Sequence, residues 1–164
     1  MRWLTGLGLT LCLAFLLGCA NDRIGATFDP LAVFPARAKW AWNDKANTLP
    51  ADERLARLNL DSIVRDTARD AFAAKGYREA APGESVDYYL NYEVGIGRVI
   101  SPSSARAVGS VSYAFTEADS GRRVWLGFVR VDVDMSLTEA QRRTRLAAEV
   151  AELLKEFPPS QPKQ

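Results

Sequence analysis

Three carboxylates come closest in this chain to a catalytic pattern. Asp132 and Asp134 stand two apart in an extended stretch, so both side chains are expected on one strand face, and Glu93 is expected on the polar face of its own strand. Gathered together they would make an acid–base pair or a cation site, and retaining hydrolysis needs two carboxyls about 5–5.5 Å apart. The same residues also suit a charged, solvated sheet face, which protects an edge strand from aggregation. The chain has no histidine. That removes serine–histidine and cysteine–histidine nucleophile pairs, histidine metal sites and the commonest general base. No catalytic residue, metal ligand or bound cofactor is assigned, and a carboxylate-based hydrolase or carbohydrate-active domain stands only as the alternative reading.

Other patterns suit binding better than reaction. Trp40 and Trp42 share one face of a strand at spacing two, where they are either core or ligand-facing. Gly95-Ile96-Gly97 opens like a dinucleotide loop, but no third glycine follows at the required spacing and no helix opens there, so a strand end or bulge is expected. Arg142, Arg143 and Arg145 cluster beside the last helix, either as a solvated face or as a contact for anionic lipid or polysaccharide. Nucleic acid is not an expected partner. The 21 basic and 20 acidic residues of the 164-residue chain leave a formal charge of +1, too little to hold a polyanion by counterion release. At 48% hydrophobic and 25% charged residues the composition is that of one globular domain.

The N-terminus reads as an address. Arg2 supplies a positive charge, Leu4 to Leu17 is uncharged and leucine-rich, and Leu16-Leu17-Gly18-Cys19 closes the run. A spanning helix needs about 20 apolar residues, and this run stops short of that. A small residue before a cysteine, with leucine three before it, resembles the lipobox of bacterial lipoproteins, whose signal is cut just before the cysteine. On that resemblance residues 1–18 are a signal peptide, Gly18 is the last residue removed, and Cys19 carries a diacylglyceryl group and a further acyl chain, the only nonprotein groups expected. Cleavage takes away Arg2 and no acid, so the formal charge falls to zero. It also takes away Cys12, and no disulfide remains available. Two or more chains anchor stably where one does not. Ala20-Asn21 lacks the aspartate that commonly retains lipoproteins at the inner membrane, so the resemblance favours the periplasm-facing side of a Gram-negative outer membrane. Residues 19–27 are read as a lipidated tether, in which the 8 residues from Ala20 to Thr27 reach at most about 26–29 Å.

The remaining chain, residues 28–159, alternates between sheet and helix periods and ends in a tail, 160–164, expected to be disordered. Phe28 to Phe34 is a weak extended segment broken by Pro30, and Lys39 to Trp42 is a strand. After a loop from Asn43 to Asn59, Leu60, Ile63, Val64, Ala68 and Phe72 recur at helical spacing, and Gly76 stops the helix. Val86 to Gly97 alternates cleanly, Ser110 to Thr116 repeats the division, and Asp119-Ser120-Gly121-Arg122 turns into Val124 to Val133. In that last strand the apolar phase changes near Gly127, which predicts a bulge there or cover on both faces. Ser136 and Glu139 have capping-box spacing, with the helix itself opening near Glu139, and Leu146, Val150, Leu153, Leu154 and Phe157 form its stripe. The order β-α-β-β-β-α predicts a two-layer α+β domain, an antiparallel sheet of about four strands with two helices on one face.

These residues resemble the bacterial lipoproteins that share domain of unknown function 4136. The match rests on Trp40 and Trp42, Lys75-Gly76-Tyr77, Val86-Asp87-Tyr88, Asp119-Ser120-Gly121 before Val124-Trp125-Leu126-Gly127, and Phe157-Pro158-Pro159. Leu126 stands where relatives often carry a polar or basic residue. The resemblance implies an α+β envelope domain and brings no established catalytic residues. The expected function is a membrane-anchored binding or structural module that meets another envelope component.

Overall fold

The computed structural model describes residues 23–51, 58–101 and 104–158. The signal peptide, Gly18, Cys19 and the tail at 160–164 lie outside the described residues.

Alternation builds the centre of the sheet. Strand β4 (Tyr88–Ser101) pairs antiparallel along its whole length with β5 (Ser104–Glu117), and β5 pairs antiparallel with β6 (Arg123–Asp132). Tyr88, Leu90, Tyr92 and Val94 face the core with Val111, Tyr113 and Phe115, while Glu93 stays exposed on the other side. The sheet is larger than expected, with six strands rather than about four, in the order β1-β6-β5-β4-β2-β3. It is also mixed. Strand β2 (Lys39–Trp42) runs parallel to β4 and to the two-residue β3 (Arg78–Glu79). Helix α1 (Leu60–Ala74) lies between β2 and β3 in the chain, and a crossover of that kind is what parallel neighbours require.

The other edge differs as well. Strand β1 (Ile24–Phe28) pairs antiparallel with β6, from Ile24 opposite Val129 to Phe28 opposite Trp125. The sheet thus begins inside the stretch 19–27 read as a tether, and the extended segment expected after Phe28 instead turns at Asp29, whose carboxylate accepts the Leu31 N–H at 2.8 Å. An edge strand packed on a buried neighbour needs little apolar signal of its own, so Ile24-Gly25-Ala26-Thr27 looks like linker.

Both predicted helices turn an apolar stripe to the core, although the second leaves Leu146 partly buried and ends before Phe157. In α1 Leu60, Ile63, Val64, Ala68 and Phe72 are buried. Gly76, at φ 84°, ends it with the Tyr77 N–H bonding back to the Phe72 carbonyl, and a Cβ there would stand 2.9 Å from the Ala36 carbonyl oxygen. Helix α2 (Glu139–Lys155) buries Val150, Leu153 and Leu154. Its cap is Thr138 with Gln141, a reciprocal capping box, and not the Ser136–Glu139 pair. Between the layers, Phe157 stacks on Phe115 at 4.5 Å and meets Trp125 and Phe72 edge-on, each at 5.3 Å.

The phase change in β6 is real but misplaced by the sequence pattern. The extra residue is Val124, where pairing shifts from Phe115–Trp125 to Thr116–Arg123. Beyond it Trp125, Gly127 and Val129 face the core.

Candidate functional site

The register of the sheet holds the candidate carboxylates apart. Glu93 lies opposite Ser112, which lies opposite Phe128. Asp132 is four residues further along β6, so about 13 Å of strand separates the two rows. Neither the retaining separation of about 5–5.5 Å nor the inverting one of about 6.5–9.5 Å is met. Asp132 instead pairs with Arg106 at 2.9 Å.

Asp134 does not share a strand face with Asp132, because β6 ends at Asp132. It sits in the loop beyond, where it accepts the Ser136 backbone N–H at 2.8 Å and the Ser136 hydroxyl at 2.6 Å. Those two bonds, with Arg145 and Arg142 nearby, hold its carboxyl below the usual carboxylate value. A general acid would need the opposite shift. Among the described residues no group of three or more His, Cys, Asp or Glu side chains is placed to hold a metal ion.

The two tryptophans have different surroundings. Trp40 is 1% exposed and packs edge-on against Phe72, inside the core. Trp42 is half-buried at the rim of the core, under the Arg65 guanidinium at 4.6 Å. Arg65 also lies 5.5 Å from the Tyr92 ring, and its Nε donates to Asp61 at 2.9 Å while the Tyr92 hydroxyl donates to the same carboxylate. Burial works against the charge on Asp61, but the bonds from Tyr92 and Arg65 outweigh it and keep the carboxyl below its ordinary value. This network pins α1 to β4. Nothing in the sequence pairs Tyr92 with Asp61, because their meeting depends on how the helix is set over the sheet.

Two surface features remain, and both lie at the end of the sheet where β4 turns into β5. On the helix side, Leu58, Leu60, Val94, Val131 and Leu146 wall a shallow, open cleft whose lining includes Arg142 and Arg145. Across the sheet, Arg23, Arg98, Arg106 and Arg130 line a groove with Asp132. The four arginines come from separate segments, so only the strand pairing reveals them as a group.

No protein-family model matches the sequence, and no curated protein matches it. Solved structures do resemble the fold. A DUF4136 family protein from Bacteroides thetaiotaomicron aligns at a TM-score of 0.56 with 16% identity, covering 84% of this chain and 97% of that one. The chain shares the fold of that DUF4136 protein. The PelC dodecamer from Paraburkholderia phytofirmans aligns at a TM-score of 0.52 with 14% identity, covering 85% of this chain and 98% of that one. A PDZ domain protein from Parabacteroides distasonis aligns at 0.52 with 9% identity, covering 84% of this chain but 36% of its own length. The resemblance read from Trp40, Trp42, Lys75-Gly76-Tyr77 and the Asp119 turn therefore extends to a shared α+β architecture.

Proposed function

We propose that the chain is a lipoprotein of a Gram-negative envelope, anchored by the diacylglyceryl group and acyl chain on Cys19. It serves as a noncatalytic binding or structural module on the periplasmic side of the outer membrane. The observation that carries this reading is the position of Cys19. It follows the Leu4–Leu17 run and Gly18 directly, and it precedes by only four residues Arg23, where the described fold begins. Among the described residues no helix is long and apolar enough to cross a membrane. A binding role is preferred to carboxylate hydrolysis because Asp132 on β6 is engaged by Arg106 and Asp134, in the loop beyond, by Ser136.

Replacing Cys19 with Ser tests the anchor. The variant should incorporate no labelled palmitate and should persist as uncut precursor; labelling equal to wild type refutes the assignment. Crosslinking in intact cells tests the binding role, which predicts capture of an envelope component above the level of an unrelated lipoprotein.

A further inference from the structure

We propose that the end of the domain formed by the β4–β5 hairpin is a contact surface for anionic phospholipid headgroups of the membrane that holds Cys19. The proposal rests on the lipid-anchor reading above and adds which face of the protein meets the bilayer.

The chain path sets the orientation. Strand β1 begins beside the last residues of β6, with the Arg130 N–H donating to the Arg23 carbonyl at 2.8 Å. The N-terminal segment therefore leaves the domain near the end where β6 stops at Asp132 and β4 crosses over to β5 at Ser101 and Ser104. Four residues from Cys19 to Arg23 span at most about 13–14 Å. Arg130 lies opposite Ser110, and Ser110 opposite Gly95, so the hairpin continues six residues past the exit level, or about 20 Å. The overhang exceeds the reach of the tether. With Cys19 at the bilayer surface and the strands standing toward the membrane normal, the hairpin lies against the headgroups or enters them.

The exposed chemistry fits that position. Beyond Gly95 the hairpin presents Ile96, 41% exposed, and Ile100, 79% exposed, and the loop after β6 adds Met135 at 68%. At the same end, on the other face of the sheet, stand the arginines of the groove, Arg23, Arg98, Arg106 and Arg130. Exposed apolar side chains beside arginines are the combination that settles at an anionic interface, apolar groups toward the acyl boundary and cations on phosphates. Asp132 partly offsets the charge through Arg106, and Glu149 does the same for Arg23 at 2.8 Å.

The chain supplies its own reporter. With Cys12 in the signal and Cys19 acylated, an introduced cysteine is the single free thiol of the mature protein. Ile100→Cys, Met135→Cys and, at the opposite end of the sheet, Ser120→Cys are each labelled with bimane. The mature lipoprotein is then reconstituted into vesicles of phosphatidylglycerol and phosphatidylcholine containing a headgroup-proximal doxyl lipid. The proposal expects quenching at positions 100 and 135 and little at 120. It also expects the quenching to fall when Arg98→Gln and Arg106→Gln are combined or when phosphatidylglycerol is omitted. Equal weak quenching at all three positions, in protein that floats with the vesicles, overturns the proposal and leaves the anchor standing. Quenching indifferent to the arginines and to phosphatidylglycerol overturns the anionic-headgroup assignment. A label at position 100 that responds to protein density and not to lipid marks a contact between copies and also overturns it. Protein that does not float fails the anchor reading and takes this proposal with it.

Discussion

The indole of Trp125 lies across the α-carbon of Gly127, two residues further along the same core-facing row of β6. A Cβ at Gly127 would stand 2.3 Å from Cη2 of Trp125, 2.5 Å from Cζ2 and 3.0 Å from the Leu153 side chain. The ring cannot retreat easily, since Trp125 is 1% exposed and Phe157 packs edge-on against it. Gly127→Ala should therefore destabilise the protein by about 1–3 kcal/mol through overpacking. The comparison is of urea midpoints with wild type, and an unchanged midpoint contradicts the packing described.

Tyr92 and Asp61 tie stability to pH in two directions. Because the fold holds the Asp61 carboxyl below its ordinary value, the unfolded chain binds more protons near and below about pH 4, and this contribution is lost as pH falls through that range. Burial, then the bond to Asp61, push the Tyr92 hydroxyl up to about 12, so its contribution is present below about pH 10 and lost as pH rises toward 12. Tyr92→Phe should flatten both arms and cost roughly 1 kcal/mol at neutral pH, a charged hydrogen bond discounted because Asp61 is half exposed. Some alkaline dependence will remain, since burial also raises Tyr77 to about 12. Denaturation of both proteins at acid, neutral and alkaline pH measures the difference, and parallel curves would count against the network.

The legible parts of this fold are those where one residue type repeats at the period of its element. β4, β5 and β6 show the two-residue alternation over long runs, and both helices show an apolar stripe, so their faces follow from the sequence. β1 and β3 are too short or too weakly apolar to register, and β2 runs parallel only because of where α1 returns the chain. The apolar parity of β6 changes near Gly127 and points to a bulge or two-sided cover there, whereas the inserted residue is Val124, as apolar as its neighbours. The same parity argument places Glu93 on the polar face but does not hold for Asp134, since alternation stops where the strand does. Arginines collected from four segments carry no local pattern at all.

The start of α2 offers a direct contest between two caps. The Thr138 hydroxyl accepts the Gln141 N–H at 3.3 Å, and the Gln141 side chain accepts the Thr138 N–H at 2.9 Å. Thr138→Ala should cost about 1 kcal/mol, within the usual range of about 0.5–2 kcal/mol for a lost cap. Ser136→Ala, which removes a hydroxyl bonded to Asp134 in the preceding loop, should cost less than Thr138→Ala. Equilibrium unfolding of the two variants decides between them, and the reverse ranking would restore Ser136 as the cap.

Glu93 and Asp132 should prove nearly silent in stability, and that silence separates a solvated face from a built site. Catalytic carboxylates forced close together strain the fold, so neutralising one commonly stabilises it. Here Glu93 is exposed, and Asp132 faces Arg106 with both side chains about half exposed, the class of ion pair that contributes about 0–1 kcal/mol. Glu93→Gln should shift unfolding by no more than about 0.5 kcal/mol and Asp132→Asn by less than about 1 kcal/mol, in the destabilising direction. The two changes should add in the double variant, because their rows lie about 13 Å apart along the strands. Stabilisation by either single change, or strong coupling between them, would reveal a mutual repulsion that this register does not permit.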